Sequence, residues 1–251
     1  MKLKTLDTTK YKRFFAFGCS FTNYYWDTWA DIIGKHIPEY YNYGVMGAGN
    51  GCIFNSVAEA NARHEFTDDD LIIIMWTGRT REDRYVGDRW VVAGNVHLQL
   101  NDFYDKKFIK KFSCDRGYLI RDMAYISTTQ KILQNSSCDW DFLSMNNIDI
   151  TDLTKDNDVT ALYKTSISDI VQPDCVTFSD RYTESEFIFV EEYNKIDRHP
   201  SPRMYYDYLS EVYQHNLDIN IIDSILETSD NLSKYGKKKD IEYNATRVKR
   251  L

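Results

Sequence analysis

The sequence predicts an α/β protein built on a doubly wound parallel sheet, and three observations predict it. Strand-like and helix-like segments alternate from the start of the chain, each early strand ends in glycine, and the third strand is an unbroken apolar run. Phe14 to Phe17 is the first strand, a short aromatic and apolar run that stops at Gly18. Trp26, Trp29, Ala30, Ile32, Ile33 and Ile37 then recur at spacings near three and four, which predicts a helix ending before Pro38. Tyr40 to Tyr43 is a second strand running into GVMGAGNG, with a helix from about Ile53 to Arg63. LIIIMW, residues 71–76, follows three aspartates and stops at Thr77-Gly78, as expected of a central strand buried on both faces.

Beyond the third strand the signals weaken. Residues 79–117 are charged and aromatic without clear period and read as an insertion, an elaborate loop or lid. A helix is expected from about Tyr118 to Gln134 and a fourth strand in DWDFLSM, residues 139–145, whereas residues 146–190 give mixed signals and no order. DRHPSP, residues 197–202, is a loop whose Ser201-Pro202 opens a last helix carrying Met204, Tyr205, Tyr208, Leu209, Val212 and Tyr213 on one side. The expected organisation is one domain over residues 1–232 and a polar, basic, flexible tail over 233–251.

Composition limits the function classes. Hydrophobic residues make up 43% and charged residues 27% of the 251, which suits a packed core rather than disorder. The formal charge of −7 argues against a broad nucleic-acid footprint, because neutralising phosphates takes a basic face. Nineteen Tyr residues supply flat surfaces with a hydroxyl, suited to sugars if exposed and otherwise simply core. Five scattered cysteines with no CxxC pair suggest neither a disulfide framework nor a zinc knuckle, and no His, Cys and carboxylate spacing marks a metal site. GVMGAGNG does not fit a dinucleotide fingerprint, so no cofactor is expected. With no apolar run after the first lysines and none long enough to cross a bilayer, the expectation is a soluble cytoplasmic protein without a membrane partner.

Two motifs carry chemistry. FGCSFT, residues 17–22, puts Ser20 after the first strand, at the carboxyl edge where open α/β sheets bind ligands. There Ser20 is either a nucleophile or a helix cap. A nucleophilic serine needs a base, and His199 in DRHPSP is the candidate, while His36, His64, His97 and His215 lie in helical or charged contexts that suit surface roles. Asp197 either fixes the imidazole tautomer or caps the turn.

FGCSFT, GVMGAGN, a strand ending in WTGRTRE, and DRHPSP resemble, in order and spacing, the sequence blocks of the SGNH (GDSL-like) hydrolases over roughly residues 13–215. More narrowly they are similar to a divergent branch from phages and marine microbes with GCSFT first and HPSP last. The resemblance implies a flavodoxin-like three-layer α/β/α sandwich and serine-dependent ester hydrolysis. It implies Ser20 as nucleophile and oxyanion donor, His199 as base and Gly47 as a second backbone donor; Asn50, three residues on, faces the site or starts a helix. Two departures stand out. The asparagine of the third block is absent, leaving Thr77, Arg81 or Asn50 as substitutes, and arginine also points to an anionic or sugar-phosphate ligand. Arg81 is expected to turn into the cleft while pairing with Glu82 or Asp83. The acid Asp197 lies two residues before His199 instead of the usual three. The expected function is an esterase acting on a small molecule or carbohydrate, with O-acetyl esters in view. The alternatives are a non-catalytic carbohydrate- or nucleotide-binding module on the same scaffold, or an acyltransferase using the same serine.

Overall fold

The computed structural model describes residues 3–98, 104–171, 173–190 and 194–235. The chain begins with β1 (Lys4–Leu6), β2 (Arg13–Phe17), α1 (Trp29–Gly34), β3 (Glu39–Asn42), α2 (Asn50–His64) and β4 (Asp70–Trp76). It continues through β5 (Arg81–Val86), β6 (Arg89–Asn95), α3 (Lys106–Phe112), α4 (Asp115–Gln134), β7 (Asp139–Ser144), α5 (Asn157–Ser166) and α6 (Cys175–Ser179). The last elements are β8 (Phe189–Val190), β9 (Lys195–Ile196), α7 (Pro202–Val212), β10 (Tyr213–His215) and α8 (Ile219–Tyr235).

The core is a four-stranded parallel sheet of order β3-β2-β4-β7. β4 is buried along its whole length, as its β-branched run requires when strands flank it and helices cover both faces. In register, Phe17 faces Ile74 and Trp76 faces Ser144, so β2, β4 and β7 end at one edge. Helices α2, α4 and α5 pack together in one layer, and α1, α6, α7 and α8 in the other, which makes three layers with the sheet in the middle. At the opposite edge, Arg13 grips the buried Asp70 through two 2.6 Å hydrogen bonds, tying the starts of β2 and β4 together.

The four strands expected from the sequence, β2, β3, β4 and β7, stand where the sequence puts them, and α7 opens at Ser201-Pro202 with the Ser201 hydroxyl accepting from the Met204 N–H. Three stretches differ. α1 starts at Trp29 rather than Trp26, because Thr28 and Asp31 form a capping box that fixes the helix start; the Trp26 indole instead donates to the Pro200 carbonyl at 2.7 Å. Residues 81–95 are not irregular: β5 and β6 form an antiparallel hairpin turning at Gly87 (φ 65°) and Asp88, and α3 and the first turn of α4 occupy 106–117. The stretch 146–190 holds α5 and α6. Of the expected tail, residues 233–235 belong to α8, and 236–251 lie outside the described residues. No described helix is long and apolar enough to cross a membrane.

Candidate active site

Ser20 sits in the tight turn that leaves the carboxyl end of β2. The Thr22 and Asn23 N–H groups both donate to the Cys19 carbonyl, and a Cβ on Gly18 would meet the Thr22 hydroxyl at 2.0 Å and the Met75 carbonyl at 3.1 Å. Only glycine lets the turn lie this close to β4. Because α1 is capped by Thr28, eight residues on, Ser20 caps no helix.

His199 reaches it from the loop between β9 and α7, a loop pinned by the Trp26 bond to Pro200. The imidazole Nε2 is 2.8 Å from Ser20 Oγ, and Nδ1 is 2.7 Å from Asp197 Oδ1. The two-residue spacing still brings the Asp197 carboxylate to the His199 ring because Asp197 folds back on itself: the same Oδ1 accepts from the His199 backbone N–H at 3.0 Å, a local ring that aspartate forms readily two residues ahead of a donor. Its other oxygen accepts from the Tyr24 hydroxyl at 2.6 Å. Burial pushes the Asp197 carboxyl up, but the bonds from His199 and Tyr24 outweigh that and hold it at about 2. An ionised Asp197 accepting from Nδ1–H leaves Nε2 as the lone-pair nitrogen facing the serine hydroxyl.

Two rings hold the imidazole in place. Tyr24 stacks on it with centroids 3.8 Å apart and planes 19° apart, and Phe21 leans against it at 5.3 Å. Neither ring stood out in the sequence, where Phe21 and Tyr24 are two of many aromatics; their proximity to Ser20 in the chain was the available signal.

The pair lies in a cleft of about 640 Å³ whose lining includes Tyr24, Arg81, Met145 and Phe187. Of the third-block candidates, Arg81 lines this cleft, its guanidinium donating to the Ala48 carbonyl at 2.8 Å. Among the described residues it forms no ion pair within 4 Å with Glu82 or Asp83: Glu82 faces Arg121, and Asp83 accepts from the N–H groups of Gly49 and Cys52 at 2.9 and 2.8 Å, capping α2. Thr77 is buried and lines an adjoining cavity instead. Asn50 is also set apart, because its buried amide must be satisfied where it lies: Nδ2 donates to the Thr77 carbonyl and Asp122, and Oδ1 accepts from the Thr77 N–H. Gly47 has a left-handed φ of 80° and its carbonyl accepts from the Gly94 N–H of β6. Neither the Ser20 nor the Gly47 N–H donates to another group among the described residues.

Among the described residues no group of three His, Cys, Asp or Glu side chains is placed to hold a metal. All five cysteines are free.

No protein-family model matches the chain, and no curated protein matches it in sequence. Among solved structures it is similar to a member of the lipolytic protein G-D-S-L family from Veillonella parvula, at 12% identity and a TM-score of 0.41, over 79% of this chain and 96% of that one. The likeness is weak in both sequence and superposition.

Proposed function

We propose that this protein is a serine ester hydrolase of the SGNH type, in the branch marked by GCSFT and HPSP. The observation that carries the reading is the chain of contacts from Ser20 Oγ through His199 to Asp197, at 2.8 and 2.7 Å. Ser20 attacks the ester carbonyl as its proton passes to His199 Nε2; the protonated ring then gives that proton to the leaving alcohol. Asp197 stays ionised and stabilises the imidazolium. Water repeats the sequence on the acyl-enzyme and frees Ser20. The N–H groups of Ser20 and Gly47 are the backbone candidates for the oxyanion, and the Arg81 guanidinium supplies positive charge at the cleft in place of the third-block asparagine.

The substrate class is a small acyl ester, an O-acetyl group on a carbohydrate being the favoured case, for which the open cleft and the rings of Tyr24 and Phe187 in its wall are suited. The test compares wild type with Ser20→Ala on aryl acyl esters and acetylated sugars, together with labelling by an activated-serine probe. The alanine variant should fold, lose probe uptake and lose about 10³-fold or more in kcat. Near-full hydrolysis by folded Ser20→Ala sinks the assignment of Ser20. No probe uptake and no turnover by wild type leaves the non-catalytic binding module, and acyl transfer to an added alcohol in preference to water leaves the acyltransferase.

A further inference from the structure

Beside the Ser20 cleft lies a second cavity of about 490 Å³, which adjoins it at Arg81 and Met145, the residues that line both. Its size falls within the ~300–1,000 Å³ of small-molecule sites. What it would hold is decided by which of its polar groups are already engaged. Arg79 is met by Asp115 at 3.7 Å and donates to the Asp149 carbonyl at 3.2 Å. Arg81 donates to the Ala48 carbonyl, and Asp122 takes bonds from Asn50 and from Arg121. Arg79 and Asp122 are therefore answered within the protein, while Arg81 keeps its positive charge at the boundary with the Ser20 cleft, so the case for an anion is confined to that boundary.

What is left open is neutral. The amide groups of Asn146 and Asn147, and the NH₂ of Asn95, donate to no protein group among the described residues; the Asn95 oxygen accepts from the His97 N–H. Amides that donate and accept, set beside the accessible apolar side chains of Leu98 and Ile148, match a molecule with several hydroxyls and C–H faces. Given the hydrolase reading above, we propose that this cavity is the subsite for the neutral, polyhydroxylated alcohol part of the ester, whose acyl carbon lies at Ser20. Arg81 and Met145 form the threshold that the ester link crosses.

The experiment uses the full chain and two esters of one acyl group, methyl 6-O-acetyl-glucopyranoside and p-nitrophenyl acetate, with acetylated glucuronate as the anionic control. Asn146→Ala and Asn95→Ala should each lower kcat/KM for the acetylated glucoside about three- to tenfold more than for the aryl ester, the size of one neutral hydrogen bond. The loss should appear in KM. An unchanged ratio of the two efficiencies in both variants, or a preference for the glucuronate, overturns the subsite. If wild type hydrolyses neither ester, the hydrolase reading fails by itself. Saturation-transfer NMR with methyl glucopyranoside then decides the cavity: contact with wild type that is lost in Asn146→Ala supports it, and no contact overturns it.

Discussion

His199 is gripped on three sides: Asp197 at Nδ1, Ser20 at Nε2 and the Tyr24 ring on its face. Asp197→Asn should cost about 10³–10⁴-fold in kcat, since an amide cannot hold the ring in the tautomer that accepts the serine proton. Tyr24→Phe keeps the stack but removes one bond to Asp197; a fall in kcat of about three- to tenfold is expected, read from steady-state kinetics. The carboxyl also links stability to pH. Its folded value of about 2 lies below the 3.8 of the unfolded chain, so the unfolded state takes up the proton first. The stabilisation, about 2 kcal/mol, is complete above pH ~4 and drains away as pH falls toward 2. Urea unfolding of wild type and Asp197→Asn should differ by that amount at pH 5 and converge near pH 2; a constant difference would refute the linkage. Asp122, which burial pushes up to about 6 against the pull of Arg121 and Asn50, works in the other direction, its contribution falling as pH rises from 4 to 6. Ser20 and His199 are legible in the sequence because turn punctuation brackets them. Tyr24 is not, because its role depends on a loop 173 residues further on.

The hairpin of β5 and β6 acts as a clamp on the glycine-rich turn before α2. Gly94 donates to Gly47, Arg81 to Ala48, and Asp83 accepts from Gly49 and Cys52. Asp83→Ala should leave two helix-start N–H groups without their acceptor, costing about 1–3 kcal/mol in thermal unfolding, and should lower kcat through the loosened Gly47. Thr28→Ala, which strips the capping box of α1, should cost about 1 kcal/mol without touching kcat/KM. The hairpin carries a local signal, Gly87-Asp88 between RYV and RWVV, but its charged face obscures the alternation that marks a strand. β4, by contrast, was plain, since burial on both faces demands an apolar residue at every position.

At the scale of the whole molecule, β1 and β10 pair in parallel although more than two hundred residues separate them, with Lys4 facing Tyr213. Both meet on Asp141 of β7, which lies 2.5 Å from Lys4 Nζ and accepts from the buried Tyr213 hydroxyl at 2.8 Å. Lys4 is half-exposed, so its ion pair adds little; Asp141→Ala should cost about 1–2 kcal/mol, chiefly by stranding the tyrosine hydroxyl. Strands of three residues carry no pattern of their own, which is why neither was readable in the sequence.

The proposed nucleophile and base are also far apart along the chain, 179 residues from Ser20 to His199. At the ribosome that distance becomes time: at about 5–20 residues per second, roughly ten to forty seconds pass between the synthesis of one and of the other. Throughout that interval the nascent chain carries a serine with no base beside it, a hydroxyl no more reactive than any other on a growing polypeptide. The proposed chemistry thus becomes possible only late in translation, after all four strands of the central sheet have been made.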